Sequence, residues 1–463
     1  MPALTKKKKF TFPSSPLGLF ILVVLVAVLT YIVPAGQYQY ITDAAGNTVV
    51  DANSFQYVEQ NPVSPFRLFV AIQEGFIDGA MIIFLILAGY FWVFSVMQSG
   101  AFTAMIHKLI SGSGRKNKWI IPAAILVFAL AGSTYGEMET VYGLIPIFVT
   151  LSIALGYDAL VGVCMCMGAV CVGFASATTN PFSLGIAQAY ANLPMFSGLG
   201  LRWIVFVVFV SVYALFVMRY AAKIKAHPEK GLLYGLDFSM FQVDLDAREE
   251  FTLRHKITLL GMVLTIGIII FGSLNLGWYI NEMSGMFIIS AILTGIFNRK
   301  SAEGIVQDCV KSIQEMAFAL VVVGLSRSIL VIMSNGLIID TVIHALSTLL
   351  NGLPTWATAE MMLVAQNIIN FFIPSGSGQA AAIMPIMVPL ADLTGVNRQI
   401  AVLAYQFGDG YSNLLWPTAT CVIMCGIAKI PLGKWYRFFL PLFAIMFVLE
   451  LGFIFIATMI NYA

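Results

Sequence analysis

Long apolar stretches joined by short polar segments are the feature that most constrains the fold of this chain. Nine stretches each hold at least about 18 mostly apolar residues, the length that an α-helix needs to cross the apolar core of a bilayer. They are 17–34, 80–98, 159–193, 200–222, 257–274, 279–297, 315–334, 398–429 and 438–460. Only 10% of the 463 residues are charged, against about 25% in a soluble domain. The sequence therefore excludes a soluble protein and predicts an all-α polytopic membrane protein.

Lys and Arg are concentrated in particular connections between these stretches. They cluster at 6–9, 108–118, 219–256, 299–311 and 429–437, whereas residues 35–64 contain none. Basic loops stay in the cytoplasm, so this distribution predicts a cytoplasmic N-terminus. The basic connections all fall on the cytoplasmic side only if two further apolar stretches return to the side from which they enter.

These two stretches, at about 119–155 and about 357–392, are each interrupted by glycines and polar residues. Each is too long for one span and too short for two spans with a loop, which predicts two re-entrant hairpins. The spans at about 159–193 and about 398–429 contain SATTNP (176–181) and GDGYSN (408–413). Such interruptions predict two broken membrane helices.

An internal repeat relates the two halves of the chain. LIPIFVTLSIALG (144–156) resembles IMPIMVPLADLTG (383–395), and MQSGAFTAMIH (97–107) resembles MSNGLIIDTVIH (333–344). The predicted hairpins enter from opposite sides, so residues 1–222 form the first inverted repeat, and residues 257–463 contain a connecting helix and the second inverted repeat. Residues 223–256 are interpreted as a solvated cytoplasmic linker, and 301–314 and 337–350 as helices lying in the membrane interface. Inverted repeats with paired broken helices are typical of secondary transporters, which bind their solute where the repeats meet.

Polar residues in the four interrupted segments are the candidate site, because polar groups at membrane depth must be satisfied by protein, water or ligand. The predicted substrate-binding residues are Ser133, Thr134, Glu137, Glu139, Thr179, Asn180, Ser375, Ser377, Gln379 and Asn413. Glu139, Asp409 and Ser412 are candidates for a coupling ion or proton, and Arg327, inside a span, is a candidate carboxylate partner. Acids at the first tip suit an ammonium or guanidinium group, and helix amides and hydroxyls at the second suit a carboxylate.

Four segments resemble the YfcC family: GSTYGEMET (132–140), ALGYDALVGV (154–163), TTNPFSLGIAQA (178–189) and FPSSPLGLFILVVLVAVLTYIVPAGQY (12–38). This family is grouped with the DcuC dicarboxylate carriers in the ion transporter superfamily. The resemblance implies scaffold helices around an elevator-type transport domain of two hairpins and two broken helices. It also implies a homodimer in a bacterial inner membrane and basic amino-acid antiport. The family's adjacent acidic pair carries over approximately to Glu137 and Glu139, which here flank Met138.

The functional hypothesis is a secondary active transporter, an antiporter or an ion-coupled symporter, for an amino acid, with a basic one favoured, or a related small carboxylate. A four-carbon dicarboxylate carrier is the alternative, and an intramembrane enzyme or a channel is a remote one. No HExxH motif surrounds the four histidines and no GxxxxGK loop occurs, so no enzyme is predicted. The expected partners are a small solute, the lipid bilayer and a second copy of the chain, without nucleic acid. No metal site or cofactor is predicted beyond sodium or a proton as the coupling ion.

Overall fold

The computed structural model describes residues 15–42, 48–50, 54–101, 104–105, 108, 118–134, 136, 138–242, 251–278, 280–349 and 353–462. Within these ranges the chain is mostly helical, because a helix satisfies its own backbone hydrogen bonds where water is absent. The first half contains helices Ser15–Ile32, Pro65–Asp78, Ala80–Gln98, Ile120–Thr134, Ile145–Ala154, Ala159–Ala175, Ile186–Tyr190 and Leu199–Ala226. The second half contains Leu253–Leu276, Ile280–Phe297, Ala302–Asn335, Ile339–Leu349, Thr355–Phe372, Gly376–Thr394, Arg398–Gly410, Thr420–Ile427 and Leu432–Met459.

Shorter elements complete the fold. Single 3₁₀ turns form at Glu139–Leu144, Pro228–Lys230, Ser239–Phe241 and Tyr411–Leu414, and π-helical turns at Cys164–Gly168 and Pro181–Gly185. Strand Gly36–Gln37 pairs antiparallel with Gln56–Tyr57, and Tyr40–Thr42 pairs antiparallel with Thr48–Val50.

Several helices are long and apolar enough to cross a membrane. Among the described residues these are Ala80–Gln98, Leu199–Ala226, Ile280–Phe297 and Leu432–Met459, with a fifth if the bent helix Ala302–Asn335 counts as one span. Their outer faces expose large apolar side chains such as Trp203, Val207 and Val448, as lipid contact requires. The inverted relation of residues 1–222 and 257–463 stays a prediction.

The predicted surface helix 301–314 and the predicted span 315–334 form one continuous helix, Ala302–Asn335, and its change of direction falls after Phe318, a few residues beyond the predicted boundary. The helix bends by 50° between Ala302–Phe318 and Leu320–Asn335. Neither proline nor glycine occurs between Gly304 and Gly324 to end the helix, so the change of direction takes the form of a bend. The other predicted surface helix, 337–350, corresponds to Ile339–Leu349, and of 97–107 the structure describes 97–101, 104 and 105.

The linker 223–256 is only partly a solvated connector, which corrects the sequence interpretation. Leu233 and Phe241 are buried against the body of the protein. The Tyr220 hydroxyl donates to the Asp158 carboxylate at 2.6 Å and accepts from the Leu232 amide at 3.2 Å, which pins the linker to the start of helix Ala159–Ala175. The apolar residues interspersed among its charges explain this docking, since their burial is favourable. Residues 243–250 lie outside the described ranges.

Tyr38 and Phe55 pack on the polar face of helix Ile339–Leu349. The Tyr38 amide donates to Asp340 Oδ2 at 3.0 Å, and the Tyr38 hydroxyl lies 3.2 Å from His344 Nδ1. The Phe55 ring stacks on His344 with 3.8 Å between ring centroids. Burial raises the pKa of the Asp340 carboxyl, and burial together with the nearby Asp340 charge raises the pKa of Tyr38 to about 12. This face of the helix is therefore the docking surface for Tyr38 and Phe55.

Close backbone contacts join each interrupted apolar stretch to a broken helix. A Cβ atom on Gly132 would overlap the carbonyl oxygen of Val170, and one on Gly173 would overlap that of Ala129. In the second half, a Cβ atom on Gly408 would overlap the side chain of Gln366. Small residues at such crossings let two membrane helices approach closely. Helix Ile120–Thr134 is thereby fixed on Ala159–Ala175, and Thr355–Phe372 on Arg398–Gly410.

Candidate functional site

We call 131–140 the first tip and 373–379 the second tip; they contain or follow the ends of helices Ile120–Thr134 and Thr355–Phe372. We call 176–181 the first break and 408–419 the second break. Each break separates two helical pieces, so its backbone groups need partners from elsewhere in the protein.

Ser133 supplies partners to the first break. Its hydroxyl donates to the Ser176 carbonyl at 3.0 Å. Its own carbonyl accepts from the Thr178 amide at 2.9 Å and the Thr179 amide at 3.2 Å. The first tip and the first break are therefore held together as one unit.

Asn180 restarts the helix beyond this break. Its Oδ1 accepts from the amides of Phe182, at 2.9 Å, and Ser183, at 3.2 Å, as a helix N-cap does. Gly136 of the first tip lies directly on the Asn180 side chain, so a Cβ atom on Gly136 would overlap it. Gly136 also has a φ of 83°, a conformation that glycine adopts at little cost.

Asparagine and tryptophan side chains join helix Thr355–Phe372 to the second break. The Asn370 amide donates to the Asp409 carbonyl at 3.3 Å and to the Ser412 hydroxyl, which itself donates to the Gly408 carbonyl. Trp416 Nε1 donates to the Asn367 carbonyl. The Thr418 hydroxyl donates to the Phe371 carbonyl at 2.7 Å. Helix Thr355–Phe372 and the second break thus also form one unit.

A cavity of about 350 Å³ lies between both tips, the second break and the residues that flank the first break. These segments and their chain neighbours line it with Gly136, Met138, Tyr142, Phe174, Phe182, Pro374, Ser375, Gly376, Ser377, Asn413, Thr418, Ala419, Thr420 and Ile423. The facing wall is Asp78, Met81, Ile82, Ile280, Val323, Ser326 and Arg327. A volume of this size accommodates a small organic solute.

One basic and one acidic side chain face each other on this wall. Arg327 Nη1 lies 3.7 Å from Asp78 Oδ2, and their side chains are 24% and 48% exposed. At this separation the pair attracts without a close hydrogen bond, so both groups retain capacity for a ligand. The wall therefore offers opposite charges a short distance apart.

A second cavity of about 520 Å³ adjoins the first and shares Asp78, Arg327, Pro374 and Ser375 with it. It extends to the ion pair of Arg67 and Glu74, whose side chains lie 2.8 Å apart. Asn335 also lines it, and the Asn335 carbonyl accepts from Asn61. The adjoining cavity thus extends toward the side that carries residues 36–57.

The structure brings only some of the predicted site residues to the cavity. Ser375, Ser377, Asn413 and Arg327 line it. Asp409 lies one layer behind the second tip, since a Cβ atom on Gly376 would be 3.1 Å from Asp409 Oδ2.

The other predicted residues mostly make contacts within the protein. Ser133, Asn180 and Ser412 hold the tips and breaks together, and the Thr134 hydroxyl donates to the Leu130 carbonyl at 2.7 Å. Gln379 is buried and its amide donates to Gln366 Oε1 at 2.7 Å, away from the cavity. Thr179 is half-buried in the first break. Glu137 lies outside the described residues, and so does the side chain of Glu139, whose backbone opens the 3₁₀ turn Glu139–Leu144.

Sequence reasoning missed Asp78, Asn367 and Asn370. Asp78 ends a helix just before an apolar span, and the two asparagines lie three residues apart in an otherwise apolar run, which was the available signal. Oδ1 of Asn367 and Oδ1 of Asn370 are buried and accept no hydrogen bond from the described residues. Buried oxygen acceptors beside Asp409 and an unwound turn are the kind of ligands that hold sodium in transporters.

A family model described as "C4-dicarboxylate anaerobic carrier", DcuC, matches residues 12–459. The "Putative basic amino acid antiporter YfcC" of Escherichia coli is 29% identical, over 97% of this chain and 97% of that protein. An uncharacterized protein of Haemophilus influenzae is 27% identical, over 96% of each chain.

Two solved structures resemble the fold. The YdaH transporter of Alcanivorax borkumensis has a TM-score of 0.42 and 15% identity, covering 97% of this chain and 99% of that one. MtrF of Neisseria gonorrhoeae, from a class of antimetabolite efflux pumps, has a TM-score of 0.43 and 18% identity, covering 97% and 96%.

Proposed function

Because the chain belongs to the DcuC family of C4-dicarboxylate anaerobic carriers and is a multi-pass membrane transporter, we propose that it carries a small carboxylate-bearing solute by secondary active transport, and that this solute is a basic amino acid. The observation that carries the proposal is the pairing of Arg327 and Asp78 on the wall of one cavity. A zwitterionic solute can satisfy both charges, whereas a dianion meets repulsion from Asp78. The name of the Escherichia coli relative also designates a basic amino acid.

The carboxylate end of the solute fits the second tip and Arg327. Ser375 is the N-cap of helix Gly376–Thr394, and its hydroxyl accepts from the Gly378 amide at 3.3 Å. The backbone amide of Gln379 already donates to the Ser375 carbonyl at 2.7 Å. The amides of Gly376 and Ser377 therefore remain as the first-turn donors, at a helix end that favours an anion. Arg327 adds a charge-assisted partner for the same carboxylate.

The cationic end fits Asp78 and the first tip. Gly136 and Met138 line the cavity on either side of Glu137 along the chain. This placement supports the proposal that Glu137 and Glu139 bind the ammonium or guanidinium group, with Ser133, Thr134, Thr179 and Asn180 supporting them. Gln379 supports the second tip from behind, through its hydrogen bond to Gln366.

We place the coupling cation, sodium or a proton, at Asp409 and Ser412 in the second break, with Glu139 as a further candidate. Asn370 bonds the Asp409 carbonyl and the Ser412 hydroxyl, and its free Oδ1 is an additional oxygen ligand. For alternating access we propose that the tips and breaks move as an elevator-like body past the wall that carries Asp78 and Arg327. The assembly is proposed as a homodimer in a bacterial inner membrane, with its N-terminus in the cytoplasm.

A four-carbon dicarboxylate is the second candidate solute. The description of the matching family model favours it, and Arg327 together with the second tip is a carboxylate site in either case. Protonated acids or bound sodium at the first tip would be needed to accommodate the second carboxylate.

Counterflow in proteoliposomes separates these solutes. Vesicles loaded with arginine or ornithine are expected to take up labelled solute of the same kind, while vesicles loaded with succinate or a neutral amino acid are not. Exchange with succinate alone would assign the protein to dicarboxylates. The absence of counterflow with every load, in vesicles that contain folded protein, would contradict the proposal.

A further inference from the structure

Helix Leu432–Met459 carries one acidic residue in an otherwise apolar segment, and that residue is buried. Glu450 is 0% exposed, and neither carboxylate oxygen accepts a hydrogen bond from the described residues. It lies on the buried face of the helix in line with Met446, Ile454 and Ala457. An ionised carboxylate held without a cation or a donor is strongly unfavourable in such surroundings.

A second unsatisfied group lies beside it. Tyr411, the first residue of the 3₁₀ turn Tyr411–Leu414, is fully buried, and its hydroxyl also has no hydrogen-bond partner among the described residues. The Phe209 ring packs at 5.8 Å on Tyr411 and at 5.8 Å on Phe453, three residues after Glu450. The 3₁₀ turn that begins at Tyr411 packs on the last helix, and both contact the Phe209 ring.

Several neighbouring buried polar groups have the partners that Glu450 and Tyr411 lack among the described residues. The Tyr213 hydroxyl donates to the Cys164 carbonyl at 2.9 Å, and Trp435 Nε1 donates to the Leu414 carbonyl at 2.8 Å. The Tyr405 hydroxyl donates to the Gly376 carbonyl. In folded proteins most buried polar groups are bonded, and an exception calls for an explanation such as a switch or a proton site.

No lysine or arginine forms an ion pair with Glu450 among the described residues. Tyr411 belongs to the 3₁₀ turn that packs on the last helix, and it is near Cys171 of helix Ala159–Ala175 and Tyr213 of helix Leu199–Ala226. The other titratable groups on the elements packed against this helix are Glu360, Arg398, Tyr405, Asp409, Cys421 and Cys425, besides Arg202, Arg219, Tyr220, Lys223 and Lys225 of helix Leu199–Ala226.

We propose that Glu450 is a proton-binding site outside the solute cavity, and that its proton is gained or lost as the second break moves against the last helix. A proton makes the carboxyl neutral and gives it a donor for the Tyr411 hydroxyl. Tyr411 lies two residues from Asn413, which lines the solute cavity, so movement of this turn on solute binding changes the partner of Glu450. The proposal thus rests on the transport function proposed above.

The stored proton is tested without any solute. In infrared spectra of the purified protein in lipid nanodiscs at neutral pH, the band of a protonated carboxyl group is expected to disappear in Glu450→Gln and to remain in the exposed control Glu229→Gln. In Tyr411→Phe this band is expected to shift, because the proposed hydrogen bond from the protonated carboxyl to the Tyr411 hydroxyl can no longer form. A Glu450→Gln spectrum that keeps every protonated-carboxyl band of the wild type would overturn the proposal.

The coupling is tested by the ratio of uptake driven by a pH gradient to counterflow of the same solute. One proton carried per cycle gives about tenfold accumulation for each pH unit, which corresponds to 1.36 kcal/mol. Glu450→Gln is expected to lower the ratio by about this factor, and Glu229→Gln is expected to leave the ratio unchanged. An unchanged ratio would overturn the coupling role. Wild-type vesicles that show no counterflow would instead contradict the transport proposal, and the infrared result would still decide whether Glu450 holds a proton.

Discussion

Replacing Arg327 with glutamine is expected to reduce solute counterflow at least about thirtyfold, because loss of a charge-assisted partner costs about 2 kcal/mol or more. Arg327 lies on the wall of the cavity between the two tips, with its guanidinium directed at Asp78. Glutamine keeps most of the side-chain volume and removes the charge. The measurement is the initial rate of counterflow in vesicles that contain equal amounts of folded protein.

Two further variants sharpen this test. Arg437→Gln removes an exposed arginine from helix Leu432–Met459 and is expected to leave counterflow near the wild-type rate. Arg327→Lys keeps the charge but loses the planar fork that binds a carboxylate at two points, so its rate should fall between those of wild type and Arg327→Gln. A rate for Arg327→Gln within about twofold of wild type would remove Arg327 from the solute site, since charged partners contribute more than this.

Gly173→Val is expected to give the largest loss of folded protein. The Gly173 backbone meets the Ala129 carbonyl, where even a Cβ atom would overlap, so valine must push helix Ile120–Thr134 away from Ala159–Ala175. Overpacking of this kind costs about 1–3 kcal/mol, and a cost of that size lowers abundance several-fold. Abundance in the membrane and the thermal unfolding midpoint in detergent both report this loss.

Gly261→Val is the matched control. Gly261 lies in helix Leu253–Leu276 with open space around its Cβ position, so the same substitution should leave abundance and the unfolding midpoint nearly unchanged. Equal losses in the two variants would mean that valine disturbs these helices through its backbone preference, and the close crossing at Gly173 would not be the cause.

Residues that interrupt apolar runs were the most informative part of the sequence. Pro181 and the glycines at 132, 136, 376 and 408 mark the places where helices end, restart or approach each other, because these residues either cannot continue a helix or leave room for another backbone. The hydroxyls of Ser375 and Ser377 were predicted at the second tip and line the cavity.

Other parts of the site depend on packing between distant segments, which periodicity does not encode. Asp78 becomes a cavity residue only because helix Pro65–Asp78 packs on Ala302–Asn335, which brings it to Arg327. Gln379 is as polar as Ser377 and two residues away, yet it turns inward to Gln366 because the helix rotates by about 200° over two residues. The burial of Glu450 beside Tyr411 likewise follows from tertiary contacts around Phe209.

The central claim, that solute binds between the two tips, is tested most directly by labelling a cysteine at Ser377. Ser377 lines the cavity, and five of the six native cysteines are buried, so Ser377→Cys in a Cys309→Ser background offers one accessible thiol. We expect a membrane-impermeant maleimide to label it from the side that carries residues 36–57, and the solute that supports counterflow to slow this labelling. Labelling that proceeds at the same rate with saturating solute, in protein that still performs counterflow, would contradict the account.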